Sequence, residues 1–142
     1  MCQQCAMREE QDQLFMDRNE SKLVLVVEDN EFHRELTKAV LTEQKYRVTT
    51  AKDGREALDK FEEDKPDCVV LYLEMPGMGG IDVMERIRAK DGRIPIVIYT
   101  AYEDSGNFRN MAADAYIMKG KDKELGEAIR KAIEVRKLPR RI

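Results

Sequence analysis

The chain has 142 residues, the length of one ordinary domain. Its 25 Lys and Arg residues nearly balance 28 Asp and Glu, and the net charge of −3 argues against nucleic acid as a partner. The longest aliphatic run, Leu23 to Val27, is far shorter than the roughly 20 apolar residues that span a bilayer. We therefore expect a single-domain cytoplasmic protein without a membrane segment.

Residues 1–20 are polar, and their few apolar residues are too scattered to form one face of a helix. We expect a flexible extension here. Cys2 and Cys5 have C-x-x-C spacing, but the sequence has no second such pair and the only histidine, His33, is far along the chain, which favours a plain extension over a metal or redox site. The third cysteine, Cys68, begins an apolar run and is expected to be a buried small residue.

From residue 21 to residue 136, five predicted strands alternate with five helical patterns. This alternation predicts βαβ units on a parallel sheet with helices on both faces, the doubly wound α/β class. The first, third and fourth strands are nearly continuous apolar runs, as expected for buried central strands, whereas the second alternates and suits an edge. The predicted strands are Leu23–Val27, Tyr46–Thr50, Cys68–Leu73, Ile94–Tyr99 and Ala115–Met118.

Apolar residues at helical spacing predict which helix faces pack on the sheet. Asn30 is the expected N-cap of the first helix, and Asp53 begins the turn into the second. The segment 103–110 contains Ser, Gly and two Asn, so a fourth helix there should be short or mobile. Residues 137–142 form a basic tail. The expected core stripes are Phe32, Leu36, Ala39 and Val40; then Ala57, Leu58 and Phe61; and last Leu125, Ala128, Ile129, Ala132 and Ile133.

Polar side chains follow several of the predicted strands. Glu28 and Asp29 come after the first, Thr100 ends the fourth, and Lys119 follows the fifth. Each alone has an ordinary structural explanation, but the carboxyl ends of parallel strands meet at one edge, where ligands bind in open α/β sheets. Two adjacent carboxylates repel one another, and a protein normally tolerates this repulsion only where a cation lies nearby. A small number of oxygen ligands favours Mg²⁺ as that cation. The sequence therefore predicts a site at this edge.

Four sequence blocks carry a family resemblance: Val26 to Asn30 (VVEDN), Met75 to Gly80 (MPGMGG), Tyr99 to Ala101 (YTA) and Ala113 to Lys119 (ADAYIMK). In order and position they resemble those of a response-regulator receiver domain, over about residues 21–136. The resemblance implies a flavodoxin-like three-layer sandwich with strand order 2-1-3-4-5. It also implies a non-enzymatic signalling domain of two-component phosphorelays.

The resemblance assigns roles to individual residues. Mg²⁺ would be held by Glu28, Asp29 and the backbone carbonyl of Glu74, while Thr100 and Lys119 would contact the phosphoryl group. Tyr116 matches the aromatic switch residue. Gly120 stands where the family usually has a cis proline, so the last loop should be less fixed.

The phosphoacceptor aspartate of the family lies four residues before the proline of MPGMGG, and here that position is Tyr72. Phosphoryl transfer needs an anionic nucleophile, and a tyrosine of ordinary pKa near 10 is about one part in a thousand phenolate at pH 7. The ring also replaces a carboxylate, so Mg²⁺ binding should be weak or absent, and Lys119 is free to pair with Glu28 or Asp29. We expect Tyr72 to be a packed aromatic whose hydroxyl binds Lys119 or an acid.

The sequence thus favours a receiver-like signalling protein with impaired aspartate phosphorylation. Its expected partners are a sensor histidine kinase or another signalling protein, and a downstream protein bound through the face of the predicted fourth helix, fifth strand and fifth helix. The alternative is a receiver that uses a surrogate acceptor such as Glu74, with Mg²⁺-dependent autodephosphorylation. A flavin-binding module is disfavoured because the acidic run from Glu28 to Glu31 would repel phosphate.

Overall fold

The computed structural model describes residues 22–73, 79–100 and 113–137. Its five strands are all parallel and lie in the order β2-β1-β3-β4-β5, which confirms the predicted doubly wound, flavodoxin-like fold. The alternating second strand is an edge strand, as predicted. The strands are β1 (Leu23–Val27), β2 (Arg47–Ala51), β3 (Cys68–Tyr72), β4 (Ile96–Thr100) and β5 (Ala115–Met118).

Four helices lie within the described residues: α1 (Glu31–Glu43), α2 (Gly54–Asp64), α3 (Gly80–Lys90) and α4 (Asp122–Lys137). The helix predicted at 103–110 lies outside the described residues, as do the amino-terminal extension and the end of the basic tail. The helix α4 is therefore the predicted fifth helix. None of the helices in the described part of the chain is both long and apolar enough to cross a membrane.

Side-chain caps fix where the first two helices begin. The Asn30 side chain accepts a hydrogen bond of 3.0 Å from the backbone N–H of His33, and Asp53 accepts one of 2.8 Å from Glu56. Each cap satisfies a backbone donor that has no partner within the first turn. Both residues were predicted at these positions, so the chain turns away from the sheet where the sequence indicates.

The sheet separates two apolar clusters. One packs against α1 and α4, and the other packs against α2 and α3. Along β3 the side chains alternate between them, so Cys68, Val70 and Tyr72 face α1 and α4 whereas Val69 and Leu71 face α2 and α3. Cys68 is fully buried, as predicted.

The predicted core stripe of α1 is wrong. Phe32 is 72% exposed and Leu36 is 46% exposed. Ala39 is also exposed and Val40 is only partly buried. The residues of α1 that are buried are Thr37 and Leu41. They are one turn apart, and the Thr37 hydroxyl meets a hydroxyl at the end of β3.

The other predicted stripes lie on the sheet side of their helices. Ala57 is buried, while Leu58 and Phe61 are partly buried against the α2 and α3 cluster. On α4 the predicted residues Leu125, Ala128, Ile129, Ala132 and Ile133 pack in or against the other cluster.

Gly80 allows α3 to begin close to the end of β3. A Cβ atom at this residue would lie 2.3 Å from the backbone oxygen of Tyr72 and 2.9 Å from the Cα of Leu73. The Gly80 N–H donates to the Leu73 carbonyl at 3.2 Å. Because a side chain would push this backbone away, glycine fixes how closely α3 approaches the carboxyl end of β3.

Candidate functional site

Three of the predicted site residues meet at the carboxyl edge of the sheet. Glu28 follows β1, Thr100 ends β4 and Lys119 follows β5. The Lys119 N–H donates to the Thr100 carbonyl at 2.8 Å, and Lys119 Nζ lies 3.5 Å from Oε2 of Glu28. The pairing of Lys119 with an acid, expected from the sequence, is therefore present in the structure with Glu28 as the acid.

Glu28 is a buried carboxyl, with 1% of its surface exposed. Burial raises its pKa from 4.5 to about 7, and the neighbouring Asp29 acts in the same direction. The Asn30 N–H, which donates to Oε1 at 3.0 Å, and the Lys119 ammonium lower this pKa without cancelling the effect of burial. Among the described residues, no hydrogen bond reaches Oε2. Glu28 therefore changes between its protonated and its charged form near neutral pH.

Asp29, next to Glu28, is exposed, so the acidic pair is divided between the interior and the surface. Arg34 on α1 holds the backbone of both residues, since its Nη1 donates to the carbonyl of Glu28 at 3.1 Å and to that of Asp29 at 3.4 Å. The loop from β1 to α1 is therefore tied to the helix that follows it.

Tyr72 is a buried side chain on the face of the sheet that packs against α1 and α4. Its hydroxyl shares a hydrogen bond of 2.8 Å with Oγ1 of Thr37, and both residues are buried. The ring contacts Tyr99 edge to face with 5.1 Å between centroids, and Lys119 Nζ lies 4.3 Å from the Tyr72 ring centroid. Thr37 is therefore a partner of the hydroxyl among the described residues, where the sequence predicted Lys119 or an acid, and the Lys119 ammonium lies over the ring face.

The loop after β5 is held by a tyrosine. The Gly120 N–H donates to the Tyr99 hydroxyl at 3.0 Å, and the Lys121 N–H donates to the Met118 carbonyl at 3.2 Å. Gly120 has a φ of 98°, and the peptide bonds of the described residues are all trans. Where the sequence predicts a less fixed loop, the structure therefore has a hydrogen bond that a proline at position 120 could not make.

Thr37 and His33 belong to the site although the sequence did not single them out as site residues. His33 Nδ1 lies 3.3 Å from Lys119 Nζ, and His33 and Thr37 occupy successive turns of α1. The signal that could have identified them is their spacing from Leu41, because residues four apart lie on the same helix face. The apolar pattern of α1 instead favoured Phe32.

Tyr116 lies on the opposite face of the sheet from Tyr72. It pairs with Ile98 in the β4–β5 register and packs against the α2 and α3 cluster. It is partly buried, and burial raises the pKa of its hydroxyl. Strand alternation puts Thr100 on the same face as Ile98. Thr100 and the predicted switch residue Tyr116 therefore share one face, while Tyr72 and Tyr99 occupy the other, where Lys119 Nζ lies over the Tyr72 ring.

The described residues do not by themselves fit a Mg²⁺ site. No group of three or more His, Cys, Asp and Glu side chains comes together within 22–73, 79–100 and 113–137. Glu74, whose carbonyl was predicted as a ligand, lies outside these ranges. Glu28 has a raised pKa and already has an ammonium group beside it. The Lys119 ammonium competes with a cation for this carboxylate.

Comparison with known proteins gives consistent results. The response regulator receiver domain model matches residues 24–131. The DNA-binding response regulator MtrA of Mycolicibacterium paratuberculosis is 40% identical over 111 residues, which are 75% of this chain and 49% of MtrA. The hybrid signal transduction histidine kinase I of Dictyostelium discoideum is 35% identical over 108 residues, 68% of this chain and 6% of the kinase. The chain thus spans less than half of these curated relatives.

Solved structures agree in fold. Response regulator TrrA from Thermotoga maritima, crystallised in complex with Mg²⁺-BeF, is 40% identical with a TM-score of 0.71, covering 78% of this chain and 98% of TrrA. A receiver domain protein from Clostridium thermocellum is 26% identical with a TM-score of 0.76, covering 82% of this chain and 97% of its own. Since the family model and the structures agree, this chain belongs to the response regulator receiver domain family.

Proposed function

We propose that this chain is a receiver of two-component signalling in which Tyr72 stands at the phosphoacceptor position, so that aspartate phosphorylation is impaired and output depends on protein–protein contacts. The observation that carries the proposal is the hydrogen bond between the Tyr72 hydroxyl and Thr37 inside the core. A side chain engaged in this way is a structural element of the sheet and not a nucleophile.

The chemistry of phosphoryl transfer supports the proposal. Transfer from a phosphohistidine requires an anionic oxygen in line with the phosphorus. The Tyr72 side chain is only 2% exposed and its hydroxyl faces α1. A phosphoryl donor would have to open the α1 contact to reach it. Phosphorylation of Tyr72 is therefore opposed both by its low acidity and by its burial.

Charge at the site supports weak or absent Mg²⁺ binding. A receiver with an acceptor aspartate would place a third carboxylate near Glu28 and Asp29, and each such charge at about 4 Å contributes a few kcal/mol at an effective dielectric of 20. Here that attraction is absent, and Lys119 lies beside Glu28 instead. The ammonium group partly replaces the charge that a metal would supply.

A phosphorylation assay tests this proposal. The protein is incubated with Mg²⁺ and acetyl phosphate, and its intact mass is recorded before and after hydroxylamine treatment. We expect no phosphoryl adduct on the natural sequence. Tyr72→Asp is the positive control and should gain a hydroxylamine-labile adduct, because it restores a carboxylate beside Lys119.

A stoichiometric, hydroxylamine-labile adduct on the natural sequence would contradict the proposal. Fragmentation would then locate the phosphorylated residue. An adduct on Glu74 would favour the surrogate-acceptor alternative, and its loss in Glu74→Gln would establish it. The rate at which the adduct disappears with and without Mg²⁺ would measure autodephosphorylation.

We propose that the protein acts in the cytoplasm between a histidine kinase, or another signalling protein, and a target that contacts β5, α4 and the predicted fourth helix. The described part of this face contains a groove of about 390 Å³ between β5 and α4. Its apolar lining includes Ile117 and Val135, and Val135 is 62% exposed. An exposed apolar groove of this kind suits a protein contact.

A further inference from the structure

We propose that Thr37 positions Tyr72 and that these residues, through Tyr99, tie α1 to the loop after β5, so that both keep one relative arrangement without phosphate. We call the set Thr37, Tyr72, Tyr99 and Gly120 the tyrosine bridge. This inference names the contacts that hold the domain in one state. Its meaning for signalling rests on the proposed function.

The first contact of the tyrosine bridge joins α1 to β3. The Thr37 and Tyr72 hydroxyl oxygens are 2.8 Å apart, and the two residues are 3% and 2% exposed. A valine would fill the position of Thr37 with nearly the same shape, and a buried hydroxyl without a partner is unfavourable. The hydrogen bond to Tyr72 therefore explains why a threonine is stable at this buried position. The same bond fixes the tilt of the phenol ring.

The second contact joins β3 to β4. Tyr72 and Tyr99 are register partners in the sheet, and their rings meet at an interplanar angle of 77°. Edge-to-face contact is a favoured aromatic geometry, and it constrains the orientation of both rings. A change in the tilt of Tyr72 therefore requires Tyr99 to move as well.

The third contact reaches the loop after β5. The Tyr99 hydroxyl accepts a hydrogen bond from the Gly120 N–H, and Lys119 Nζ lies over the Tyr72 ring. The loop is thus attached to the tyrosine bridge at two successive residues. Because Lys119 also pairs with Glu28, the orientation of Tyr72 affects the same ammonium that the acidic site uses.

Amide hydrogen exchange at Gly120, followed by NMR, tests the proposal. Thr37→Val removes the hydroxyl with little change of shape. We expect Gly120 to exchange about five- to tenfold faster, the effect of losing one hydrogen bond of ordinary net strength. Val26 and Val70, in the centre of the sheet, serve as reference amides for global opening. Thr37→Ser keeps the hydroxyl and should return Gly120 close to its original rate.

Two further variants separate the bridge from general loosening. Tyr46→Phe removes another buried tyrosine hydroxyl, one that donates to the Gly126 carbonyl at 2.9 Å, in the same core cluster but outside the bridge. It should leave Gly120 unchanged relative to the reference amides. In a Tyr99→Phe background, Thr37→Val should have a smaller further effect on Gly120, because the hydrogen bond to that amide is already gone and only the contact of Lys119 with the Tyr72 ring remains.

The proposal is overturned if Thr37→Val raises exchange at Gly120 no more than it raises exchange at Val26 and Val70, or no more than Tyr46→Phe does. If Thr37→Val does not fold, Tyr72→Phe supplies the same comparison, since it keeps the ring and removes the hydroxyl. The phosphorylation assay is independent of this result. An adduct on the natural sequence would contradict the proposed function while leaving the exchange measurement to decide on the tyrosine bridge.

Discussion

Lys119 Nζ lies 3.5 Å from Oε2 of Glu28, so an ammonium after β5 is paired with a buried carboxyl after β1. The attraction does not compensate for burial, since the Glu28 pKa stays raised to about 7. A buried ion pair with incomplete hydrogen bonding is often a net cost to the fold. The burial of Glu28 therefore lowers stability once its carboxyl is charged.

The first prediction concerns pH. Between pH 4.5 and about 7 the folded protein keeps a proton on Glu28 that the unfolded chain releases. Stability should fall as pH rises through this window, by up to about 3 kcal/mol in total. Glu28→Gln should remove this dependence and make the protein more stable than the natural sequence at about pH 8. Urea unfolding at several pH values, with a chelator present, measures the effect.

The control for this prediction is Glu35→Gln, which neutralises an exposed acid on α1. It should keep the pH dependence of the natural sequence. A Glu28→Gln protein whose stability follows pH as steeply as before would show that another group is responsible.

The second prediction concerns the hydrogen bond between Thr37 and Tyr72. Tyr72→Phe should lower the free energy of unfolding by about 1–2 kcal/mol, since it leaves the buried Thr37 hydroxyl without this partner. Thr37→Val should cost about as much, and the double variant should cost less than the sum, with a coupling of about 1 kcal/mol. Chemical denaturation of the four proteins gives the coupling energy. Thr37→Val combined with Tyr46→Phe should be additive, and equal coupling in both cycles would rule out a direct interaction.

The third prediction distinguishes two glycines. Gly120→Ala should cost about 1 kcal/mol because its φ is positive, although no atom lies within 4 Å of the added Cβ. Gly80→Ala should cost at least 3 kcal/mol, since its Cβ meets the backbone at the end of β3. Gly120→Pro should exceed Gly120→Ala, because it also removes the N–H that binds Tyr99. Thermal and urea unfolding would contradict this account if Gly80→Ala were the milder change.

The fourth prediction concerns Asp114, which binds two arginines. Its carboxylate accepts hydrogen bonds of 3.1 Å from Arg88, 2.8 Å from Arg136 and 2.8 Å from the Ile96 N–H. Asp114→Ala should cost about 3 kcal/mol, because Arg88 is only 12% exposed and would lose its acid. Glu127→Ala removes an acid that pairs with the exposed Arg130, and should cost no more than about 0.5 kcal/mol. If both variants lost a similar free energy of unfolding in urea, burial would not explain the different strengths of the two ion pairs.

The strands could be predicted because the apolar runs of β1, β3 and β4 are typical of buried strands in a parallel sheet, whereas their order followed from the family resemblance. The face of α1 that packs against the sheet could not be predicted. Phe32 and Leu36 are the larger apolar residues, and their spacing alone favours them as core. The structure instead turns Thr37 and Leu41 toward the sheet, and Thr37 there contacts Tyr72, a residue distant in sequence.

In the candidate site, too, one part could be predicted from the sequence and another part could not. The convergence of Glu28, Thr100 and Lys119 follows from strand topology, so the sequence is sufficient to predict it. The partner of Tyr72 is not predictable in this way. It depends on which side of β3 the ring occupies and on which face of α1 packs against the sheet.

Cys68 lies at the amino end of β3 with no exposed surface, and burial raises the pKa of its thiol far above the usual range. A thiol in this state does not react with alkylating reagents, since the thiolate is the reactive form. Its modification therefore requires the central strand to leave the sheet. Peptide mapping can separate Cys68 from Cys2 and Cys5, so the natural sequence contains its own chemical probe for the opening of the central strand.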